Sequence, residues 1–215
     1  AIFKLMLPTI TSSCLELPPG TQVQFPGTFQ EYEQLIERLG DRAAIRIRFR
    51  NGHIFLTAPL SAHGNQTDML SDLVKALLKQ AGKDWQGFNV ITLKKSGVPG
   101  VEPDACFYIK NVAAILGKPR IDLESDPPPD LAIETDLTSI ADIEDYVPFA
   151  VPEVWIYKSG ALKIYQFEED AYREANTSQC FPDFALKETI PLYVKRTWKV
   201  GSSVALREFE RSLNG

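Results

Sequence analysis

The sequence has little cysteine and histidine, and their spacing forms no metal-binding motif. Its three cysteines, Cys14, Cys106 and Cys180, are odd in number and include no CxxC pair. A disulfide framework and a cysteine-based zinc site are therefore not indicated. We expect reduced thiols, with Cys106 in the hydrophobic core.

Long apolar runs and several familiar catalytic motifs are also absent. No run approaches the roughly 18–20 apolar residues that span a bilayer, and the N-terminal AIFKLML is too short for a signal-peptide core. The sequence contains no glycine-rich phosphate loop and no serine-nucleophile motif, so hydrolases of those classes are not expected. We expect a cytoplasmic protein with no membrane partner.

The composition is typical of a folded globular chain. With 215 residues, 44% hydrophobic and 24% charged, it can bury a substantial core. Residues 1–25 are rich in proline, serine and threonine and predict an N-terminal arm. We expect residues 26–215 to form a single domain.

The net charge of −5 argues against the broad basic surface of a nonspecific nucleic-acid coating protein. Between Glu102 and Glu153 there are twelve acids and three bases. An acidic centre with basic flanks suits an enzyme whose acids bind metal while its flanks approach phosphates, and it equally suits an ordinary acidic surface.

Periodicity predicts helices and a hairpin on either side of a run of strands. Thr28 and Glu31 form a capping box before a helix that Gly40 ends. Ile45, Ile47 and Phe49 alternate with arginines, and Asn51-Gly52 predicts a type I′ hairpin turn. Further helices are expected over Asp68–Gln80, Ile140–Val151 and from Ser203 onward. Strands are expected at FNVITLKK, DACFYI, LAIET and VWIYKSGALKIYQF, with a last one at Ala171–Glu174.

These elements predict an α/β (α+β) fold, with a mixed central β-sheet flanked by helices. Two acids lie on successive predicted strands, Asp104 and Glu134, and Asp136 follows two residues after Glu134. Because side chains alternate along a strand, Glu134 and Asp136 share a face opposite Leu131 and Ile133. If the strands are neighbours, the acids could hold Mg²⁺ or Mn²⁺.

A structural interpretation of the same acids stays open. Asp104 and Asp130 each follow a proline and could open their strands in Asx-type turns. The acids could also be surface groups of a structural or interaction protein.

The order EPDACFYI, PPDLAIETDLTS and VPEVWIYKSGALKIYQF resembles a large bacterial family of endonuclease-like proteins in the PD-(D/E)XK, or restriction-endonuclease-like, superfamily. The resemblance covers roughly residues 44–191. It implies a restriction-endonuclease-like core, DNA as substrate, and Asp104 and Glu134 as catalytic metal ligands. A homodimer is possible because cutting both strands of a duplex is often achieved with two-fold symmetry.

The cationic member of the implied site is replaced in this chain. The superfamily pattern has lysine two residues after the glutamate, where Asp136 stands. In the resembling family the lysine comes instead from the next helix, at the position of Asp142 in this chain. Residues 138–151 contain no lysine or arginine. Lys158, Lys94 or Lys95 could substitute. The alternative is a catalytically inactive nuclease fold that binds nucleic acid or protein.

Two further features have two interpretations each. His63 matches a histidine that the resemblance places at the start of the second helix near the site, but a lone histidine at a helix entrance is more often a cap or surface residue. Arg46, Arg48 and Arg50 could contact phosphates, or they could lie on a solvated sheet face.

Overall fold

The structure is a computed structural model that describes residues 17–39, 45–58, 61–89, 91–136 and 142–214. The backbone divides into two compact units, residues 1–61 and 62–215, and each is described by itself. The single domain expected over 26–215 stays a prediction. Among the described residues, no helix has both the length and the apolar character needed to cross a bilayer.

The first unit is a three-stranded antiparallel sheet covered on one face by a helix. Its elements are β1 (Gln22–Pro26), α1 (Phe29–Leu39), β2 (Arg46–Arg50) and β3 (His53–Thr57), with the strand order β1-β3-β2. The last part of the predicted arm therefore lies in β1.

Two local signals in this unit, the capping box and the hairpin turn, are confirmed, while the predicted helix end at Gly40 lies outside the described residues. The Thr28 backbone N–H donates to Glu31 Oε2 at 2.7 Å and the Glu31 N–H donates to Thr28 Oγ1 at 3.2 Å, which is a reciprocal capping box. Asn51 and Gly52 have φ of 49° and 71°, as a type I′ turn requires.

The second unit contains a six-stranded mixed sheet with helices. Its elements are α2 (Ser61–Gln80), β4 (Gln86–Phe88), β5 (Ala105–Tyr108), α3 (Val112–Ile115), β6 (Leu131–Asp136), a 3₁₀ helix (Ile143–Phe149), β7 (Glu153–Lys158), β8 (Ala161–Glu168), β9 (Ala171–Ala175), α4 (Leu186–Val200) and α5 (Ser202–Ser212). The strands follow one another in chain order from β4 to β9. Only the β6–β7 pair is parallel among these neighbours.

Each face of this sheet has its own core. Ile133 and Trp155 face a cluster that includes α2, α4 and α5 residues such as Leu73, Ile190 and Phe209. The alternate residues Ala132, Val154 and Ile156 pack with Tyr146 and Phe149 of the 3₁₀ helix. Cys106 is fully buried in this second cluster, as expected, and both Cys106 and Cys180 are free thiols. Cys14 lies outside the described residues.

The predicted and observed elements differ at several places. FNVITLKK forms only the end of β4 and an isolated bridge between Leu93 and Val101. The second helix begins at Ser61 rather than Asp68, because its first two turns are polar and carry no apolar period. The helix α4 was not predicted, since Pro191 and several β-branched residues interrupt its helical pattern.

Candidate metal and phosphodiester site

Asp104 lies beside Glu134 at one end of the six-stranded sheet. The antiparallel register puts Ala105 opposite Ile133, so its continuation puts Asp104 opposite Glu134. The Asp104 N–H donates to the Ile133 carbonyl at 2.9 Å, and Asp104 Oδ2 accepts the Thr135 N–H at 2.5 Å. Asp104 is therefore bonded to both chain neighbours of Glu134.

Both carboxylates are buried. Asp104 is 1% exposed and Glu134 is 2% exposed, so the interpretation of these acids as surface groups is wrong. A buried carboxylate is costly unless hydrogen bonds or a cation compensate for it. The contacts of the two side chains thus decide what this end of the sheet can do.

The Asp104 carboxylate is oriented by two donors from different elements. Oδ2 accepts the backbone N–H of Thr135, and Oδ1 lies 3.0 Å from Nε2 of His63 in the first turn of α2. The His63 side chain is 12% exposed. The interpretation of His63 as a cap or surface residue is wrong, and the position near Asp104 that the resemblance implied is observed.

The Glu134 carboxylate is oriented from the 3₁₀ helix. Tyr146 is 1% exposed, and its hydroxyl donates to Glu134 Oε1 at 2.7 Å. The sequence analysis assigned no role to Tyr146. The signal was present, since a tyrosine buried among apolar residues needs a partner for its hydroxyl.

The position implied for the lysine carries a structural carboxylate. Asp142 is the N-cap of the 3₁₀ helix, and its Oδ1 accepts the Glu144 N–H at 3.1 Å. Lys95 donates to the carbonyl of Pro148 at 2.8 Å. Lys158 ends β7, opposite Asp136 in the parallel register.

No group of three or more His, Cys, Asp or Glu side chains converges as if around a metal within the part of the chain that the structure describes. Two carboxylates remain as the candidate donors. Carboxylate oxygens suit Mg²⁺ and Mn²⁺, which usually keep several waters and accept phosphate oxygens as further ligands. The assignment of Asp104 and Glu134 as catalytic metal ligands stays a prediction.

Asp130 belongs to a different part of the sheet. Its Oδ2 accepts the backbone N–H groups of Ile109, Lys110 and Asn111 at 2.7, 2.9 and 3.3 Å. Asp130 therefore holds the segment that follows β5, which is a structural role. The predicted Asx-type turn was at the start of its own strand, whereas the observed bonds go to residues 109–111.

Comparison with known proteins identifies a family for this chain. The family model Uma2, described as "Putative restriction endonuclease", matches residues 29–197. A search of curated proteins found no match to this chain.

The solved structures similar to this chain include a "putative nuclease belonging to DUF820" from Anabaena variabilis ATCC 29413. It superposes with a TM-score of 0.51 at 10% sequence identity, over 69% of this chain and 90% of that chain. At this identity the likeness shows the fold. The family model covers most of the chain, and the chain therefore belongs to the Uma2 family of restriction-endonuclease-like proteins.

Proposed function

We propose that this protein is an endonuclease that hydrolyses DNA phosphodiester bonds with Mg²⁺ or Mn²⁺, and that Asp104 and Glu134 are its metal ligands. The observation that carries the proposal is the pairing of two buried carboxylates. Asp104 is hydrogen-bonded to the residues on either side of Glu134. Membership of a family described by nuclease activity supports the same reaction class.

The donor set fits a hard divalent cation. Each carboxylate oxygen has two lone-pair directions, so Asp104 can accept bonds from Thr135 and His63 and still offer oxygens to a cation. Residues that orient metal ligands through hydrogen bonds are a regular part of such sites. His63 and Tyr146 have this relation to Asp104 and Glu134.

The cation and the protein residues would have different tasks in this reaction. When bound, a divalent cation polarises a phosphate oxygen and lowers the pKa of a bound water. Asp104 and Glu134 would fix its position, while His63 and Tyr146 prevent the two carboxylates from rotating.

A second function has its own supporting observation. Asp142 caps the 3₁₀ helix where the resembling family has a lysine, so this chain could retain the fold and bind nucleic acid or protein without cleaving it. Such a protein would bind metal or DNA, and no turnover would follow.

The deciding experiment is a cleavage assay on plasmid and single-stranded DNA with Mg²⁺ and with Mn²⁺. We expect the Asp104→Ala, Glu134→Ala double variant to lose about 10³-fold or more in rate, because metal catalysis contributes several kcal/mol. Glu169→Ala, a change in an exposed turn, is the control. Equal rates for wild type and double variant would refute the proposal, and DNA binding without any cleavage by the wild type would support the second function.

A homodimer remains part of the proposal. Paired cuts in both strands would be favoured by two-fold symmetry. Sedimentation of the full chain with and without a DNA duplex tests this, and a monomer under both conditions would contradict it.

A further inference from the structure

The face of the sheet that carries Glu134 continues onto β7 and β8. In the parallel register Glu134 lies opposite Ile156, and Asp136 lies opposite Lys158. Because alternate residues of a strand share a face, Lys158 lies on the Glu134 face, one step nearer the end of the sheet. With adjacent strands about 4.8 Å apart and a rise of about 3.3 Å per residue, diagonal neighbours of this kind have Cα atoms about 8 Å apart, within reach of long side chains.

A groove of about 480 Å³ opens beside these residues. It is lined by Asp142, Ile156, Lys158, Ser159, Lys163 and Tyr165, and we call it the β7–β8 groove. Cavities of this size take small ligands or parts of larger ones. Ile156 connects the groove to Glu134, since the two residues are paired across β6 and β7.

The groove carries more positive than negative charge. Lys158 is exposed, and Lys163 lies opposite Ile156 on β8. Asp142 is the one acid among the described lining residues, and its carboxylate already accepts the Glu144 N–H. The hydrogen bond from Lys163 to Glu174 raises the pKa of Lys163 above its usual range, so Lys163 stays charged at neutral pH.

We propose that Lys158 is the cation that contacts the phosphate at the Asp104–Glu134 site, and that the β7–β8 groove receives the adjoining stretch of nucleic-acid backbone through Lys163. The inference rests on the proposed function. Lys158 reaches the site from β7 rather than from β6 or from the 3₁₀ helix. This explains how the site can keep a cation although Asp136 and Asp142 occupy the two implied lysine positions.

The chemistry needs a cation at this place. Phosphodiester cleavage builds negative charge on the phosphate, and a fixed positive group nearby stabilises that charge. Lysine acts as a compact point charge on a flexible stem, so it can reach a phosphate from more than one strand position.

The test uses Lys158→Gln and Lys163→Gln, with Lys199→Gln as a control that makes the same charge change on the exposed part of α4. The first readout is the single-turnover cleavage rate at saturating DNA. We expect Lys158→Gln to lose about 10²–10³-fold, the usual effect of removing one group that stabilises transition-state charge. Lys158→Arg should restore part of the rate, and Lys163→Gln should affect binding more than rate.

The second readout does not require cleavage. Binding of a short fluorescein-labelled DNA duplex is measured without divalent metal, between roughly 50 and 200 mM salt. Each of the two variants should weaken binding and reduce the magnitude of the slope of log affinity against log salt by about 1, the change expected for one lost phosphate contact. The control Lys199→Gln should leave the slope unchanged.

The outcomes separate the two proposals. If the Asp104→Ala, Glu134→Ala variant cleaves like wild type, the proposed function fails, and the salt slopes still decide whether Lys158 and Lys163 contact backbone phosphates. If wild type cleaves and Lys158→Gln cleaves equally well, Lys158 is not the site's cation. Unchanged salt slopes in both variants would overturn the groove as a nucleic-acid contact.

Discussion

The two ends of the six-stranded sheet both contain buried carboxylates, but they are held in different ways. At the end formed by the start of β5 and the carboxyl ends of β6 and β7, Asp104 and Glu134 accept bonds from His63 and Tyr146. At the opposite end, Asp130 accepts three consecutive backbone N–H groups. The first pair of acids is contacted by side chains of two separate helices, whereas Asp130 accepts backbone N–H groups from the segment that follows β5.

Glu153 extends the same contrast at the opposite end. It is fully buried, and its carboxylate accepts bonds from Trp155 Nε1 at 2.7 Å, Ser178 Oγ at 2.5 Å and the Gln179 N–H at 2.5 Å. These bonds join the start of β7 to the loop before α4. Neither burial nor side-chain donors therefore distinguish a candidate catalytic acid from a structural acid. The first end differs because two buried carboxylates, Asp104 and Glu134, lie at neighbouring positions of adjacent strands.

The largest effect is expected at the structural end. Glu153→Ala should lower the free energy of unfolding by about 3 kcal/mol or more, because buried donors of Trp155, Ser178 and Gln179 lose a charged acceptor. Urea denaturation measures the change, with the exposed Glu168→Ala as a control on the neighbouring strand β8. If Glu153→Ala were as stable as wild type and lost DNA cleavage instead, the division between the two ends would be wrong.

A smaller effect is expected at the candidate site. His63→Ala and Tyr146→Phe should each reduce Mn²⁺ affinity or cleavage by about 10–100-fold, the usual cost of removing a group that orients a metal ligand. Calorimetric titration with Mn²⁺ gives a readout that does not depend on turnover. His63→Gln, whose amide can still donate to Asp104, should recover part of the affinity, and a merely structural role would show no such recovery.

No effect at neutral pH is expected from the last prediction, which concerns stability at alkaline pH near the Asp130 end. Burial raises the pKa of the Cys106 thiol from 9.0 to about 12. Burial also raises the pKa of Tyr108, and the charges of Cys106, Asp126 and Asp130 raise it further. From about pH 9 upward the unfolded chain loses protons that the folded chain keeps, so the free energy of unfolding should fall as pH rises toward about 12.

Urea denaturation at a series of pH values measures this decline. The Cys106→Ala variant should show a shallower fall, because one of the groups with a raised pKa is gone. A fall of equal steepness in the variant would show that Cys106 is not responsible for it.

Local chemistry predicted most of the secondary structure. The capping box of Thr28 and Glu31 and the Asn51-Gly52 turn depend on neighbouring residues, so the sequence indicates them directly. The start of α2 and the whole of α4 were not predicted, because contacts between distant residues stabilise them. His63 and Thr67 form hydrogen bonds with Asp104 and Thr135, and α4 packs in the core through residues such as Ile190 and Val194. Residues 61–67 carry no apolar period and Pro191 interrupts the pattern of α4, so the sequence does not indicate these contacts.

The candidate site was predictable in part. The sequence located Asp104, Glu134 and the departures at Asp136 and Asp142. It did not establish the contacts of His63 and Tyr146, because those residues lie 41 and 12 positions away from the acids they bond.

The sequence by itself determined the family, the mixed sheet with its helices, and the two acids that could hold a metal. Only the tertiary structure showed that Asp104 and Glu134 are buried side by side, and that Lys158 shares the face of Glu134. The physical reason is that strand register and helix packing join residues far apart in the chain, whereas sequence patterns report spacing along it. A carboxylate is the same chemical group at both ends of the sheet, and the tertiary structure decides which residues surround it.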